Sequence, residues 1–218
     1  MDAFMEKLGI YDLIAVFMTG LIVSIISMVI DTTFIKSELN NFMYIDDKIV
    51  FLAISYFIGI LLQEASSLIY RGLIFKNDKL LDQVFEVKNT LGYYISEKEI
   101  KKLKCLVSEK VSNSRENDNT FIYNMCKANV LKEGNTRISM DQAMAGLSRS
   151  LSLYFFLLTL VMLYLLFARL FTQQNINYYL VSAVVDFLIS TLLFFRYKRF
   201  TKMRYSNILR AYLYFNID

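Results

Sequence analysis

The fold is decided by residues 151–195, which read LSLYFFLLTLVMLYLLFARLFTQQNINYYLVSAVVDFLISTLLFF. Two apolar runs, Leu151–Phe171 and Tyr178–Phe195, are separated there only by the short segment TQQNIN. Each run is long enough to cross the roughly 30 Å of hydrocarbon in a bilayer as an α-helix that rises about 1.5 Å per residue. This stretch therefore predicts two transmembrane helices joined by a short loop.

The first 70 residues contain a second pair of apolar runs. They cover Leu13–Ile30, which is followed by Asp31, and Ile49–Tyr70, which is followed by Arg71. The chain is 56% hydrophobic with a mean hydropathy of +0.39, and it contains no proline that would break a long helix. Because the apolar residues are concentrated in four runs, we predict an all-α integral membrane protein with four transmembrane helices in two pairs, rather than a soluble helical protein.

Four segments follow from this pattern. Residues 1–70 hold the first pair of transmembrane helices, 71–150 form a helical segment, 151–195 hold the second pair, and 196–218 form a basic, aromatic tail that continues the fourth helix. Short amphipathic helices such as those predicted in 71–150 bury little apolar surface alone. We therefore expect them to pack on neighbouring copies or on the long helix that leads into the third span.

Local signals mark where helices of the central segment begin. Ser96 with Glu99 and Ser139 with Gln142 match the capping box, in which each side chain bonds the backbone N–H of the other residue. The second box predicts a helix that begins near Met140 and runs without interruption into the third span.

The distribution of positive charge predicts the orientation in the membrane. Segment 71–150 holds 14 of the 24 Lys and Arg residues and the tail holds six, whereas the loop 31–48 holds only Lys36 and Lys48. Lys and Arg concentrate on the cytoplasmic side of membrane proteins. Both termini and the central segment are therefore expected in the cytoplasm.

Composition removes several kinds of chemistry. The chain has no histidine, and its two cysteines, Cys105 and Cys126, are far apart in the sequence. A zinc site with imidazole ligands and a Ser-His or Cys-His pair are therefore excluded, and reduced thiols are expected. No phosphate-binding glycine loop, nucleophile elbow or matched pair of intramembrane acids appears. We expect no enzymatic activity, no metal and no cofactor.

Polar and small residues recur along one side of two spans. A spacing of four joins Ser55, Gly59, Gln63 and Ser67 in the second span, and Ser182, Asp186 and Ser190 in the fourth. Small residues let membrane helices approach closely, and such a stripe is also what a water-filled pore presents. For serine and glycine alone we favour close packing. These residues and Glu64 are the candidates for a pore-lining or gating position.

Two carboxylates, Glu64 and Asp186, lie inside the predicted spans. A charged carboxylate is costly in hydrocarbon, so such groups usually face a protein interior or a water-filled cavity. Arg169 either pairs with Asp186 in an intramembrane ion pair or extends its side chain to the outer interface. Glu64 has no evident partner in the sequence and is therefore the better candidate for a conducting or gating position.

Positive charge is concentrated in the tail and in one helix of the central segment. The cations are Arg196, Lys198, Arg199, Lys202, Arg204 and Arg210 in the tail, and Lys98, Lys101, Lys102 and Lys104 in the central segment. In the tail they are mixed with aromatic residues, which favours an anchor on anionic lipid headgroups over a site for a nucleotide or nucleic-acid signal. For the lysines, a solvated helix face is favoured over a signal-binding surface.

The pattern resembles the small four-span membrane effectors of bacterial anti-phage defence systems. The residues that carry the resemblance are GILLQEASSLI (Gly59–Ile69), MAGLSRSLS (Met144–Ser152), and RYKRF with RYSNILRAY (within Arg196–Tyr212). Among these systems the chain resembles the Hailong membrane effector, with Kiwa and the membrane effectors of cyclic-oligonucleotide systems as near alternatives. The resemblance implies a homo-oligomeric ion channel of the bacterial inner membrane, gated by a nucleotide or oligonucleotide made by a partner nucleotidyltransferase, that depolarises an infected cell.

Self-association is also expected from the residues themselves, with a tetramer as the first guess, because four spans per chain are too few to enclose a generous pore. Membrane lipids and further copies of the chain are then the expected partners. One alternative is a non-conducting membrane adaptor whose central helices recruit a soluble partner. The other alternative is a small transporter. Proline-containing, broken membrane helices would have favoured a transporter, and the chain has no proline.

Overall fold

A computed structural model describes residues 11–30, 48–70, 78–85, 95–110, 118–131, 136–170 and 176–216. Every regular element within these ranges is a helix. A π-helical segment, Asp12–Met18, leads directly into α1, Thr19–Ile30. The other helices are α2 (Lys48–Ile69), α3 (Asp78–Phe85), α4 (Glu97–Lys110), α5 (Asn119–Leu131), α6 (Thr136–Leu170) and α7 (Ile176–Phe215).

Four helical stretches are long and apolar enough to cross a membrane. They are Asp12–Ile30, Lys48–Ile69, Ile138–Ala168 and Asn177–Phe215. Each overlaps one of the apolar runs found in the sequence over most of its length. The prediction of an all-α membrane protein with four membrane-spanning helices is confirmed.

The chain forms two compact units. The first, here called the membrane unit, comprises Met1–Leu68 and Ala143–Tyr197, and the second, here called the helical unit, comprises Ile69–Gln142 and Lys198–Asp218. α6 and α7 contribute residues to both units. The tail, treated as a segment of its own in the sequence, thus belongs from Lys198 onward with the central helices.

In the membrane unit, the first span packs closely against α2 at two glycines. A Cβ atom added to Gly20 would overlap the Ser55 carbonyl oxygen and lie 2.9 Å from the backbone nitrogen of Gly59. A Cβ atom added to Gly59 would in turn overlap the Val16 carbonyl oxygen. Across the same contact, the Ser55 hydroxyl donates to Ser24 Oγ at 3.0 Å. The small residues thus bring two backbones together, which gives these helices packing contacts that lipid does not provide.

α6 and α7 are joined by a reciprocal pair of serines. The Ser152 hydroxyl donates to the Ser190 carbonyl oxygen at 2.9 Å, and the Ser190 hydroxyl donates to the Ser152 carbonyl oxygen at 2.8 Å. Further along the same two helices, Met162 packs with Tyr179, and Ile30 of α1 packs against this cluster. The reciprocal bonds fix the register of the two helices, so Ser152 and Ser190 mark one level in the membrane.

The helical unit has a hydrophobic core of its own, built from α3, α4, α5 and parts of α6 and α7. Ile208 and Tyr212 of the tail are fully buried in this core. They share it with Leu103 of α4, Ile122 of α5 and Ile138 at the start of α6. The central helices therefore pack on the long sixth helix, as expected, and also on the tail, which the sequence did not suggest.

Side-chain caps explain where two helices of this unit begin. The Ser96 N–H donates to Glu99 Oε2 at 2.7 Å, and the Glu99 N–H donates to Ser96 Oγ at 3.3 Å, so the first predicted capping box is confirmed. Asp118 caps α5 by accepting a backbone N–H at 2.9 Å. The prediction for Ser139 is wrong, because α6 already begins at Thr136.

Candidate functional sites

The polar stripe of α2 lies against the rest of the membrane unit. Ser55, Gly59 and Gln63 are buried, and the first two form the close contact with α1. Within one chain, Ser55 and Gly59 therefore serve close helix packing, which the sequence analysis favoured over a pore-lining role for serine and glycine. Ser66 rather than Ser67 continues this face, because at about 100° per residue Ser66 lies only about 20° from Ser55, whereas Ser67 lies about 120° from it.

Gln63 is the centre of a hydrogen-bond network that joins three helices. Its Nε2 donates to Tyr11 Oη, and its Oε1 accepts from Ser150 Oγ at 2.5 Å. The hydroxyl oxygens of Ser150 and Ser66 lie 3.2 Å apart. A Cβ atom added to Gly146 would lie 2.9 Å from Gln63 Nε2, so the glycine leaves room for the amide. The network satisfies polar groups that lipid would leave unbonded.

Arg149 of α6 adds a positive charge to this network. Its Nε donates to Ser66 Oγ at 3.1 Å, and its Nη2 donates to the Gln63 carbonyl oxygen at 3.4 Å. In the part of the chain that the structure describes, no carboxylate forms an ion pair with it. In the sequence analysis, Arg149 had no role beyond its place in MAGLSRSLS. Its position as an isolated arginine at the start of a long apolar run could have indicated a polar contact inside the membrane unit.

Glu64 points away from the Gln63 network. It lies about 180° around α2 from Ser55, and its side chain is exposed on the membrane unit. The neighbours on the same side are large and apolar, since Phe57 is 60%, Leu61 53% and Leu68 73% exposed. The structure therefore separates Glu64 from the other candidates in α2 and leaves its carboxylate on the outside of a membrane-spanning helix.

The polar stripe of α7 faces the interior of the membrane unit. Ser190 bonds α6, as described above, and Asp186 is only 7% exposed. The Ser182 hydroxyl bonds the Asp186 carboxylate, whereas Oδ2 has no hydrogen-bond partner among the described residues. Asp186 also interacts electrostatically with Tyr154, whose hydroxyl lies 2.9 Å from that of Ser27. These hydroxyls form a small polar patch around a buried carboxylate.

The register of α6 and α7 contradicts the predicted ion pair between Arg169 and Asp186. Ser152 and Ser190 lie at one level. From that level, Asp186 lies about 6 Å and Arg169 about 25 Å toward the loop that joins the two helices. The separation of about 20 Å along the helices exceeds the reach of an arginine side chain. The prediction is corrected on this backbone register, and the side chain of Arg169 itself lies outside the described residues.

The lysines of the central segment lie on the outer side of α4. Lys98, Lys101 and Lys102 are exposed, and Lys104 is half-exposed. Lys101 Nζ lies 3.9 Å from Glu97 Oε1, with both side chains largely in solvent. Such exposed pairs contribute little to stability. The arrangement is that of a solvated helix face, and the same exposure leaves the lysines accessible to an anion.

Part of the apolar side of the tail packs inside the helical unit. Ile208 and Tyr212 lie in the core of the helical unit, and the ring of Tyr205 packs edge-on against Tyr123 at a centroid distance of 4.9 Å. These residues are therefore buried in the protein rather than placed at a lipid surface, whereas Tyr214 and Phe215 are exposed, and for them the anchor stays a prediction. The cations remain at the surface in part: Arg196 and Arg199 are exposed, and Lys198, Lys202, Arg204 and Arg210 are half-buried.

Two titratable groups of the helical unit are shifted by their surroundings. Burial raises the pKa of Tyr123 to about 12, against the opposing charge of Arg204. Burial would also raise the pKa of Glu99, but hydrogen bonds from Ser96 and the charge of Arg210, 3.7 Å away, outweigh it and lower that pKa below its usual value. Both shifts have structural causes, a packed core and a helix cap.

Among the described residues, no three acids or cysteines come together in a group that could hold a metal ion. No protein-family model, curated protein or solved structure shows significant similarity to the chain. The function is therefore argued from the membrane unit and the helical unit themselves.

Proposed function

We propose that the protein is a membrane effector whose copies assemble into an ion channel. The observation that carries the proposal is Glu64, a carboxylate exposed between Leu61 and Leu68 on a membrane-spanning helix. A charged side chain that faces hydrocarbon costs about 2.5–3.5 kcal/mol or more. A second copy of the chain, or water enclosed between copies, removes that cost.

The conducting path is proposed between copies rather than inside one. In the described residues, several buried polar groups of one membrane unit bond each other, as Ser55 bonds Ser24 and Ser150 bonds Gln63. Glu64, by contrast, is a polar group that α2 leaves on the outside. Several copies can line a path with this side of α2, and a tetramer remains our first estimate.

The helical unit is proposed to receive the signal that gates the channel. Exposed cations on α4 and in the tail, such as Lys101, Lys102 and Arg199, attract a nucleotide or an oligonucleotide. The resemblance to anti-phage effectors supports a signal made by a partner nucleotidyltransferase, and depolarisation of an infected cell as the outcome. The distribution of positive charge supports the bacterial inner membrane with both termini in the cytoplasm.

Conductance of the purified protein in planar bilayers tests the proposal. We expect the wild-type chain to conduct, and Glu64→Gln and Glu64→Ala to change the single-channel conductance or the reversal potential, because each removes a carboxylate from the path. Glu97→Gln is the matched control, since it removes an exposed carboxylate from the helical unit, and it should leave both quantities unchanged.

Two results would count against the channel. Absence of current at every protein density, with and without added oligonucleotides, would instead support the non-conducting adaptor, for which the separate core of the helical unit is suited. Identical currents from the wild type and both Glu64 variants would remove Glu64 from the path.

A further inference from the structure

Two opposite charges of the membrane unit have no ion-pair partner among the described residues of one chain. Glu64 is exposed, and no described residue forms an ion pair with it. Arg149 is half-buried, and within the described ranges its guanidinium donates to neutral oxygens, Ser66 Oγ and the Gln63 carbonyl. Within the part of the chain that the structure describes, the carboxylate thus has no cation beside it and the guanidinium no anion, although a charge-assisted bond between such groups is among the strongest that side chains form.

Depth in the membrane restricts what each charge can meet. Identical copies in a ring are related by rotation about an axis along the membrane normal, and this rotation moves no atom to another depth. A group of a neighbouring copy that reaches Glu64 must therefore lie at the depth of Glu64. The bonds of Arg149 to Gln63 and Ser66 place its guanidinium there, because these two residues flank Glu64 in α2.

Hydrogen bonds between helices extend this level across the unit. Ser66 is level with Ser150 on α6. Glu64, two positions before Ser66, is therefore close to the level at which Ser152 bonds Ser190. The depth of every described residue on α6 and α7 can be measured from there.

The other basic residues of the described membrane unit lie at other depths. Lys48 begins α2 and is about 24 Å from Glu64 along the helix. On α6, Arg169 lies about 25 Å from the level of Glu64. On α7, Arg196 lies about 9 Å from that level on the opposite side. Arg149 is the nearest to Glu64 in depth.

We propose that the outer side of α2 is the surface on which a second copy of the chain docks, with Glu64 of one copy paired to Arg149 of the next. Leu61 and Leu68, one turn to either side of Glu64, supply apolar contact around the pair. The pairing removes a carboxylate from hydrocarbon and places opposite charges together where the dielectric constant is low and their attraction is strong. The inference rests on the homo-oligomer of the proposed function, but not on its conducting ions.

Lipid is the competing occupant of this surface. Acyl chains suit Leu61 and Leu68, but they offer the Glu64 carboxylate neither a hydrogen-bond donor nor a positive charge. A second copy offers both through Arg149, at the depth that rotation requires.

Cysteine cross-linking between differently tagged chains tests the contact directly. Cys105 and Cys126 are first replaced by serine and alanine; one chain then carries Glu64→Cys and the other Arg149→Cys. After treatment of native membranes with a short bismaleimide, which bridges two thiols over about the length of the lost Glu and Arg side chains, we expect a mixed, cross-linked dimer that carries both tags, because the two positions face each other across the interface but lie too far apart for a direct disulfide. Leu188→Cys, on the exposed side of α7, combined with Arg149→Cys is the matched control and should give far less mixed product.

A double-mutant cycle tests the ion pair itself. Association of labelled chains in liposomes is followed by energy transfer as the protein is diluted with lipid, for the wild type, Glu64→Gln, Arg149→Gln and the double variant. We expect each single variant to dissociate at a protein density about ten-fold above that of the wild type. The double variant should resemble the single variants, because the pair is lost only once.

Arg149→Gln also removes the bonds to Ser66 and Gln63, so Glu64→Gln alone decides the association test if the arginine variant does not fold. Unchanged association of Glu64→Gln, additive effects of the two substitutions, or a mixed cross-link no stronger than the control would each overturn the proposal. Absence of current with the mixed cross-link present would refute the channel and leave the pairing of Glu64 with Arg149 standing.

Discussion

A single methyl group added at Gly20 tests how closely the first two spans meet. In Gly20→Ala the new Cβ would overlap the Ser55 carbonyl oxygen, and it would lie 2.7 Å from the Ser55 carbonyl carbon and 2.9 Å from the backbone nitrogen of Gly59. These neighbours are backbone atoms of α2, so no side chain can rotate away. In the folded variant, α1 and α2 must therefore lie farther apart than in the wild type.

The magnitude follows from what that separation removes. Overpacking of a close contact costs about 1–3 kcal/mol. Loss of the 3.0 Å bond between Ser55 and Ser24 adds about 0.6–2 kcal/mol in a membrane protein. Alanine favours a helix over glycine by up to about 1 kcal/mol, which offsets part of the loss. We expect Gly20→Ala to lower the free energy of unfolding by about 1–3 kcal/mol in total.

Reversible unfolding in mixed micelles, with an increasing mole fraction of SDS, measures this free energy. Val184→Leu is the matched control, because Val184 lies on the exposed side of α7, away from the contact between α1 and α2. The larger side chain there should change the unfolding free energy by less than about 0.5 kcal/mol. A Gly20→Ala variant as stable as the wild type would refute the reasoning, since the two backbones would then not meet at Gly20.

Three further predictions concern titratable groups. Glu99→Gln should destabilise the protein at pH 7. The pKa of Glu99 is lowered in the folded protein, so the ionised carboxylate contributes stability above its ordinary pKa of 4.5. The difference in the free energy of unfolding between variant and wild type should shrink as the pH falls below that value. The pKa of Tyr123 is raised from 10.0 to about 12, so the contribution of the neutral side chain to stability is full below pH 10 and is lost as the pH rises toward 12. Tyr123→Phe should therefore make the circular dichroism signal of the protein less sensitive to pH between 10 and 12. Equal pH profiles of variant and wild type would contradict either expectation. Asp186→Asn should raise the free energy of unfolding in micelles by about 1–3 kcal/mol, because the amide occupies the same space and is uncharged, whereas Oδ2 of the carboxylate has no hydrogen-bond partner among the described residues. A less stable Asn variant would show that the carboxylate has a partner outside the described residues.

The membrane spans could be predicted from the sequence because apolar length alone determines them. The predicted runs Leu13–Ile30 and Ile49–Tyr70 agree to within one residue at each end with the helical stretches Asp12–Ile30 and Lys48–Ile69. In hydrocarbon, every backbone N–H and C=O group must be bonded within the protein, and a single apolar segment achieves this only as a helix. No tertiary information is needed for that conclusion.

The place of the tail could not be predicted in this way. Its mixture of cations and aromatic residues fits a membrane interface, and it equally fits a helix that buries one side while Lys and Arg extend to water. The second arrangement requires that other helices present a matching apolar surface. Leu103 and Ile122 supply such a surface, because they lie in the same buried cluster as Ile208 and Tyr212.

Helix geometry would have located the polar face of α2 more accurately than residue spacing. A spacing of four drifts by about 40° per step, so a stripe that starts at Ser55 has turned by about 120° at Ser67. Angles instead place Ser66 beside Ser55 and Glu64 opposite it, which agrees with the burial of each residue. The bond from Arg149 to the Gln63 carbonyl could not be found in this way, because it joins positions 86 residues apart.

The two intramembrane acids differ in what a single copy provides for them. Asp186 is buried and bonded by Ser182, so the folding of one chain already shields it from lipid. Glu64 lies opposite Ser55 on the helix whose inner side also carries Gln63, and these inner residues are bonded to α1 and α6. Rotating α2 to bury Glu64 would break those bonds, so its exposure is a consequence of the internal packing itself. In the proposed pairing, a group from outside this packing, at the same depth, covers the carboxylate, and Arg149 of a second copy meets both conditions.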